Sequence, residues 1–98
     1  MAKGYWIDTY LSVSDPEKLN TYIKLARHAI VAGGGTFLTA AVATYAFEKG
    51  KIQRTVIIEF PSVDVAVETH GSPSYQEALK ALDGGAERDV RIVEGLEG

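Results

Sequence analysis

Few side chains in this 98-residue sequence could move a proton or hold a polar ligand. There are two histidines and no cysteine, which excludes disulfides, thiolate metal sites and cysteine nucleophiles. His28 falls opposite the apolar residues around it when positions are spaced 100° apart, so it is expected to face solvent. His70 ends the segment 63–70. If that segment is helical, His70 shares a face with Val63, Ala66 and Val67 and points toward a sheet or the rim of a cavity. A near-neutral pKa there would suit general acid/base catalysis. A histidine packed at a helix end and bonded to backbone is the competing reading.

Tyr22 and Tyr75 lie on the inner stripes of two expected helices. Each could hydrogen-bond a ligand between helix and sheet, or be core with its hydroxyl satisfied nearby. Trp6 is placed at the edge of the same space. Asp8 and Glu59 sit mid-strand among bulky neighbours. Brought close, two carboxylates raise one another's pKa and suggest proton transfer. Pairing of either with Arg54 or Arg91, within the chain or across a dimer, is the structural alternative. Two distant histidines match no usual metal-ligand spacing. The run Gly33-Gly34-Gly35 follows a helix and precedes a strand, the reverse of a phosphate-binding loop. No Ser-His-Asp arrangement is present. No metal and no cofactor are expected.

The elements that must position these groups can be read from period and punctuation. Tyr5 to Leu11 is rich in aromatic and β-branched residues and reads as a strand, with bulky groups on both faces. Asp15-Pro16-Glu17 starts a helix, because Asp15 can cap free N–H groups and Pro16 suits the first helical position. Leu19, Tyr22, Ile23, Ala26 and Ile30 form its apolar stripe, and the three glycines end it. Thr36 to Phe47 is expected as a second strand, joined by a turn at Glu48-Lys49-Gly50-Lys51 to a third running from Ile52 to Phe60. A short helix over 63–70 and a second piece starting at Ser72-Pro73 follow. Tyr75, Ala78, Leu79 and Leu82 line the inner face of that second piece. A last strand covers Asp89 to Glu94. The order β-α-β-β-α-β is the split, ferredoxin-like arrangement. Right-handed crossovers then give an α+β fold with a four-stranded antiparallel sheet of order 4-1-3-2.

The length suits one domain over residues 1–98. Hydrophobic residues make up 46% and charged residues 23%, both ordinary for a globular chain. The net charge of −3 and the lack of a basic stripe speak against a nucleic-acid partner. Lys49, Lys51 and Arg54 read as a solvated turn. The start of the sequence lacks a signal-peptide pattern and no run approaches the length of a membrane span, so a cytoplasmic location without membrane attachment is expected.

Two helices cover one face of such a sheet. The other face, with large apolar groups on strands one and three, would be an exposed patch of a kind monomers rarely carry. Burial against a symmetric copy removes it, so a homodimer is expected.

Several motifs fall in order over nearly the whole chain. They are Gly4-Tyr5-Trp6-Ile7, Asp15-Pro16-Glu17, Gly34-Gly35 before Phe37-Leu38, Val56-Ile57-Ile58-Glu59-Phe60-Pro61-Ser62, Ser72-Pro73 with Tyr75-Gln76, and Ile92-Val93-Glu94-Gly95. Together they resemble the family called domain of unknown function 1330. The resemblance implies a dimeric α/β barrel, in which two ferredoxin-like sheets face each other, and no established activity. This sequence departs from the family pattern where an arginine often follows the paired glycines (here Thr36), where paired glycines often sit in the second strand (here Ala40-Ala41), and where an aromatic often precedes the Ser-Pro-x-Tyr piece (here His70-Gly71). A pocket built on those positions is altered here. The wider superfamily includes cofactor-free oxygenases, isomerases and haem-degrading enzymes, an analogy of fold that does not fix function.

Three functions remain open. The first is a homodimeric small-molecule-binding domain with a pocket edged by Trp6, Tyr22, His70 and Tyr75. The second is a cofactor-independent oxygenase or isomerase acting on a small apolar or aromatic compound, with His70 as acid/base. The third is a structural dimer with no ligand.

Overall fold

The computed structural model describes residues 2–97. In chain order the elements are β1 (Gly4–Val13), α1 (Pro16–Ala32), β2 (Thr36–Val42), β3 (Arg54–Phe60), α2 (Val63–His70), α3 (Pro73–Leu82) and β4 (Ala86–Glu94). The strands form one sheet in the order β2-β3-β1-β4, all antiparallel. This is the ferredoxin-like order read from the sequence.

Each helix starts where a side chain can accept the free N–H groups of its first turn. Asp15 accepts from the amides of Glu17 and Lys18, both at 3.1 Å. Ser62 accepts from Val65 at 3.2 Å and Ser72 from Tyr75 at 3.3 Å. At the end of α1, Gly34 takes a φ of +103°, a conformation that disfavours any residue with a Cβ. Gly35 then passes so close to Ile30, Ile58 and Phe60 that a Cβ would lie 2.6–2.9 Å from their side-chain carbons. The glycines therefore both stop the helix and let β2 enter tightly against β3.

Alternation along the strands separates two faces. Trp6, Asp8 and Tyr10 of β1 and Val56, Ile58 and Phe60 of β3 are buried under the helices. They meet Tyr22, Ala26, Ala29 and Ile30 of α1, Ala66 of α2, and Tyr75, Ala78 and Leu82 of α3 in one core. The expected stripes of α1 and α3 are both found, and His28 is exposed. The opposite face carries Tyr5, Ile7, Thr9, Thr55 and Ile57, all half-buried, beside the exposed Leu11 and Val93.

Several strand boundaries differ from expectation, and β1 runs from Gly4 to Val13 rather than from Tyr5 to Leu11. The second strand ends at Val42 rather than Phe47, and the third begins at Arg54 rather than Ile52. The last bond between them runs from the Ala43 amide to the Gln53 carbonyl. Beyond it Tyr45 and Phe47 are each 79% exposed. Strand-forming residues with no surface to pack on do not hold a ladder, since β-propensity is largely a matter of packing. The turn itself lies at Glu48-Lys49, as expected. A register shift between Phe37 and Thr39 leaves Leu38 as a bulge. β4 begins at Ala86, not Asp89, because β1 is long enough to pair with it back to Val13 across a second irregularity between Tyr10 and Ser12.

Candidate functional site

Strand register places an ion pair inside the core. Asp8 faces the helices from β1. Its neighbour across β4 is Val90, and Tyr10 is opposite Arg88, so Arg88 and Asp8 are diagonal partners on one face. Arg88 Nη1 donates to Asp8 Oδ2 at 2.8 Å and to the Tyr22 hydroxyl, also at 2.8 Å. The Tyr22 and Tyr75 hydroxyls share a 2.7 Å hydrogen bond. The guanidinium lies 4.7 Å from the Tyr22 ring centre, a cation–π distance. Both charged side chains are nearly sealed, at 8% and 5% exposure.

Burial raises the Asp8 carboxyl above the usual carboxylate range, although Arg88 and Arg54 pull it down. Its two oxygens explain the balance: Oδ2 has Arg88, whereas buried Oδ1 has no hydrogen-bonding partner among the described residues. Burial also raises the Tyr22 phenol, so it remains protonated at neutral pH. Arg88 keeps its charge: burial opposes it, but Tyr22 and Asp8 outweigh burial and raise its pKa further.

Asp8 is among the residues that border a pocket between α1 and the sheet. The pocket is lined by Trp6, Asp8, Tyr10, Tyr22, Ile23, Ala26, Arg27, Ile30, Phe37, Arg54, Val56 and Ile58. Its free space is about 380 Å³ with the open mouth included. The polar end of a ligand fits; a larger molecule requires side chains to move. Arg54 Nε is likewise buried without a partner among the described residues. Arg54 is thus not part of a solvated turn: it begins β3 on the helix-facing side, where the alternation of the strand turns it inward.

The four residues singled out from sequence come together as an aromatic wall. The Trp6 ring centre lies 4.9 Å from that of Tyr75 and 5.3 Å from that of His70, and His70 is 5.0 Å from Tyr75. Tyr22 meets Tyr75 edge-on at 6.1 Å. Such pairs contribute about 0.5–1.5 kcal/mol each beyond their burial. The wall has two sides, however. Trp6 and Tyr22 line the enclosed pocket, which Tyr75 touches through the Tyr22 hydroxyl. His70 lies beyond Trp6 and opens onto a shallow groove with Val67, Gly71, Val90 and Ile92. The inner face of α2 centres on Ala66 and Thr69, not Val67, which is 53% exposed. Thr69 fixes that orientation by donating to Val65 O at 2.8 Å and reaching Gly33 O, just past the end of α1, at 3.4 Å. Burial, then the Arg88 charge, hold His70 below its ordinary value of 6.5.

Neither the carboxylate pair considered from the sequence nor its alternative, pairing with Arg54 or Arg91, is found among the described residues. Asp8 is opposite Val56 and Glu59 is opposite Tyr5, so the two acids project from opposite faces of the sheet. Neither pairs with Arg91, which binds Asp89, and Arg54 makes no salt bridge to either among the described residues. Glu59 instead accepts from Lys3 at 3.1 Å and Tyr5 at 3.2 Å, and the Lys3 hydrogen bond holds its carboxyl below the usual range. Sequence reading missed Arg88 because the last strand was started too late. Extended back to Ala86, the alternation Arg88, Val90, Ile92 puts Arg88 on the inner face. Among the described residues, no three His, Cys, Asp or Glu side chains gather as metal ligands.

Sheet order, antiparallel pairing and a helix-covered apolar core that encloses one ion pair define a ferredoxin-like α+β domain. The chain belongs to the family described as Domain of unknown function (DUF1330), whose model matches residues 3–96. No match is found among the curated proteins. Among solved structures, the chain is similar to a protein of unknown function from Rhodopseudomonas palustris, with 16% identity, a TM-score of 0.74, and coverage of 99% of this chain and 85% of that one. It is similar to a cofactor-independent oxygenase from Streptomyces nogalater, with 11% identity, a TM-score of 0.67, and coverage of 100% and 97%. A dimeric ferredoxin-like protein of unknown function from Thermobifida fusca shares 11% identity, with a TM-score of 0.64 and coverage of 95% and 91%. At these identities the likeness is one of fold.

Two outcomes follow from this geometry. Arg88→Met strands a buried carboxylate and is expected to cost about 3–5 kcal/mol in urea unfolding, with part recovered in the double variant Asp8→Asn/Arg88→Met. His70 has a depressed pKa, so the unfolded chain takes its proton first. The stability it contributes is full above about 6.5 and is lost as pH falls through the folded value. Unfolding free energy should decline on acidification below that point, and less steeply in His70→Gln. Asp8, with a raised pKa, acts in the opposite direction at lower pH, so a decline unchanged in His70→Gln would assign the effect elsewhere.

Proposed function

We propose that this protein is a homodimeric small-molecule-binding domain whose site is the pocket between α1 and the sheet. The observation that carries the reading is that two residues bordering one pocket, Asp8 and Arg54, each hold a buried polar atom without a partner among the described residues, Oδ1 and Nε. Buried polar groups are nearly always hydrogen-bonded, and unpaired groups cost about 1–3 kcal/mol each. A ligand that meets both offsets that cost. Trp6 and Tyr22 form the wall of this site, and Tyr75 fixes the Tyr22 hydroxyl. The homodimer is supported by the uncovered sheet face with Tyr5, Ile7 and Ile57, and by the likeness to a protein described as dimeric. Native mass spectrometry of freshly purified protein is expected to show twice the chain mass with additional small-molecule mass. A monomer at all working concentrations would remove the dimer from this reading.

A second reading is a cofactor-independent oxygenase or isomerase. The fold likeness to the Streptomyces nogalater oxygenase favours it, as does a half-buried histidine held neutral by its surroundings. In this reading His70 takes a proton from an acidic C–H or O–H of an apolar or aromatic substrate lying in the groove beside Val90 and Ile92. Oxygen uptake in the presence of hydroxylated aromatic compounds should then be lost in His70→Ala with binding retained. Normal turnover by that variant would exclude the histidine.

A further inference from the structure

The pocket's charge and its two unpaired atoms together specify the ligand more narrowly than a shape does, given that the pocket is the binding site proposed above. Three guanidinium groups, those of Arg27, Arg54 and Arg88, stand at or beside it against the single carboxylate of Asp8. Arg88 is engaged with Asp8 and Tyr22. Arg27, on the exposed side of α1, lies over the Phe37 ring at 5.7 Å. Neither Arg27 nor Arg54 has a salt bridge among the described residues. The site therefore carries an excess of positive charge in a chain whose net charge is −3.

Hydrogen bonding adds direction. Asp8, 4% exposed, and Arg54 both border the pocket, and each holds a buried polar atom with no partner among the described residues, the acceptor Oδ1 and the donor Nε–H. Asp8 is opposite Val56 on β3, and Arg54 is two residues along that strand on the same face. Diagonal positions of this kind lie about 7–8 Å apart, and the long arginine side chain shortens the gap. Whatever lies between must donate to one group and accept from the other. Water alone does both, but water calls for neither the surplus of positive charge nor the walls of Ile23, Ile30, Phe37 and Ile58.

The geometry points to a small organic carboxylate bearing an adjacent hydroxyl on an apolar or aromatic body. Its carboxylate accepts from Arg54, with Arg27 at the mouth, and its hydroxyl donates to Asp8 Oδ1. Charge-assisted bonds of this kind are about twice as strong as neutral ones. The apolar body rests against Phe37 and the α1 residues, whose side chains move to admit it.

The test is a heteronuclear NMR titration of the full chain with three probes: 2-hydroxybenzoate, benzoate and 2-hydroxybenzamide. The reporters are the Trp6 indole N–H and the amides of Asp8 and Val56. 2-Hydroxybenzoate is expected to bind about tenfold or more tighter than either of the others, since each lacks one of the two charge-assisted bonds. Arg54→Gln should abolish the preference for 2-hydroxybenzoate over the neutral amide, with the folded spectrum retained. Equal or tighter binding of 2-hydroxybenzamide overturns the anionic class and leaves the pocket as a binding site. Failure of all three probes to shift the pocket reporters at millimolar concentration overturns the proposal in favour of a water-filled cavity. Ligand mass retained in native mass spectrometry would still support the pocket in that case, so the two readings fail separately.

Discussion

A charged pair under the helices constrains this fold more than any apolar contact does. Removing Asp8 and Arg88 from water is costly, and the cost is offset only where geometry supplies their partners closely. Arg88 needs Asp8 on one side and the Tyr22 hydroxyl on the other, both at 2.8 Å. That requirement fixes the register of β4 on β1, because a slip of one residue would turn Arg88 to the opposite face. It also fixes α1, which brings Tyr22, and α3, which brings Tyr75 to complete the chain of hydroxyls. Two crossovers are thereby tied to one strand pair by polar bonds. Apolar packing of Trp6, Ile58 and Phe60 supplies area and resists the same slip, since it too would be turned out of the core.

The same network divides the interior by chemistry. On one side of Trp6 the walls are apolar and the unpaired atoms are an acceptor and a donor with a positive surround. On the other side His70, depressed in basicity by burial, faces an open groove of Val67, Val90 and Ile92. Trp6 is 1% exposed and touches both. The two regions share a wall and Arg88, whose charge is felt by Asp8 and His70 alike, so a change at one is transmitted electrostatically to the other.

Much of this was legible in the sequence, for physical reasons that also set its limits. Helix starts at Asp15, Ser62 and Ser72 announce themselves because capping is local chemistry. The inner stripes of α1 and α3 follow from period alone, so Tyr22 and Tyr75 were placed correctly. Strand ends were not legible, since they depend on what lies across the ladder. Val42 ends β2 because nothing packs on Tyr45 and Phe47, and β4 reaches back to Ala86 because β1 extends to meet it. That second error hid Arg88. The Asp8–Glu59 pairing failed for a related reason: adjacency of two strands says nothing of face until the register is known.

The edges of the sheet have a consequence for how copies of this chain can associate. β4 alternates charge along its length, with Glu87, Arg88, Asp89, Arg91 and Glu94, and β2 is interrupted by the bulge at Leu38. Charges and bulges on edge strands discourage another strand from joining the ladder. Growth by edge addition would be open-ended, since each new strand exposes another edge. Contact through the uncovered face is instead used up once it is made, because the same patch serves both sides. Copies that met through that face would stop at a finite number, and the charged and bulged edges would not seed a fibre.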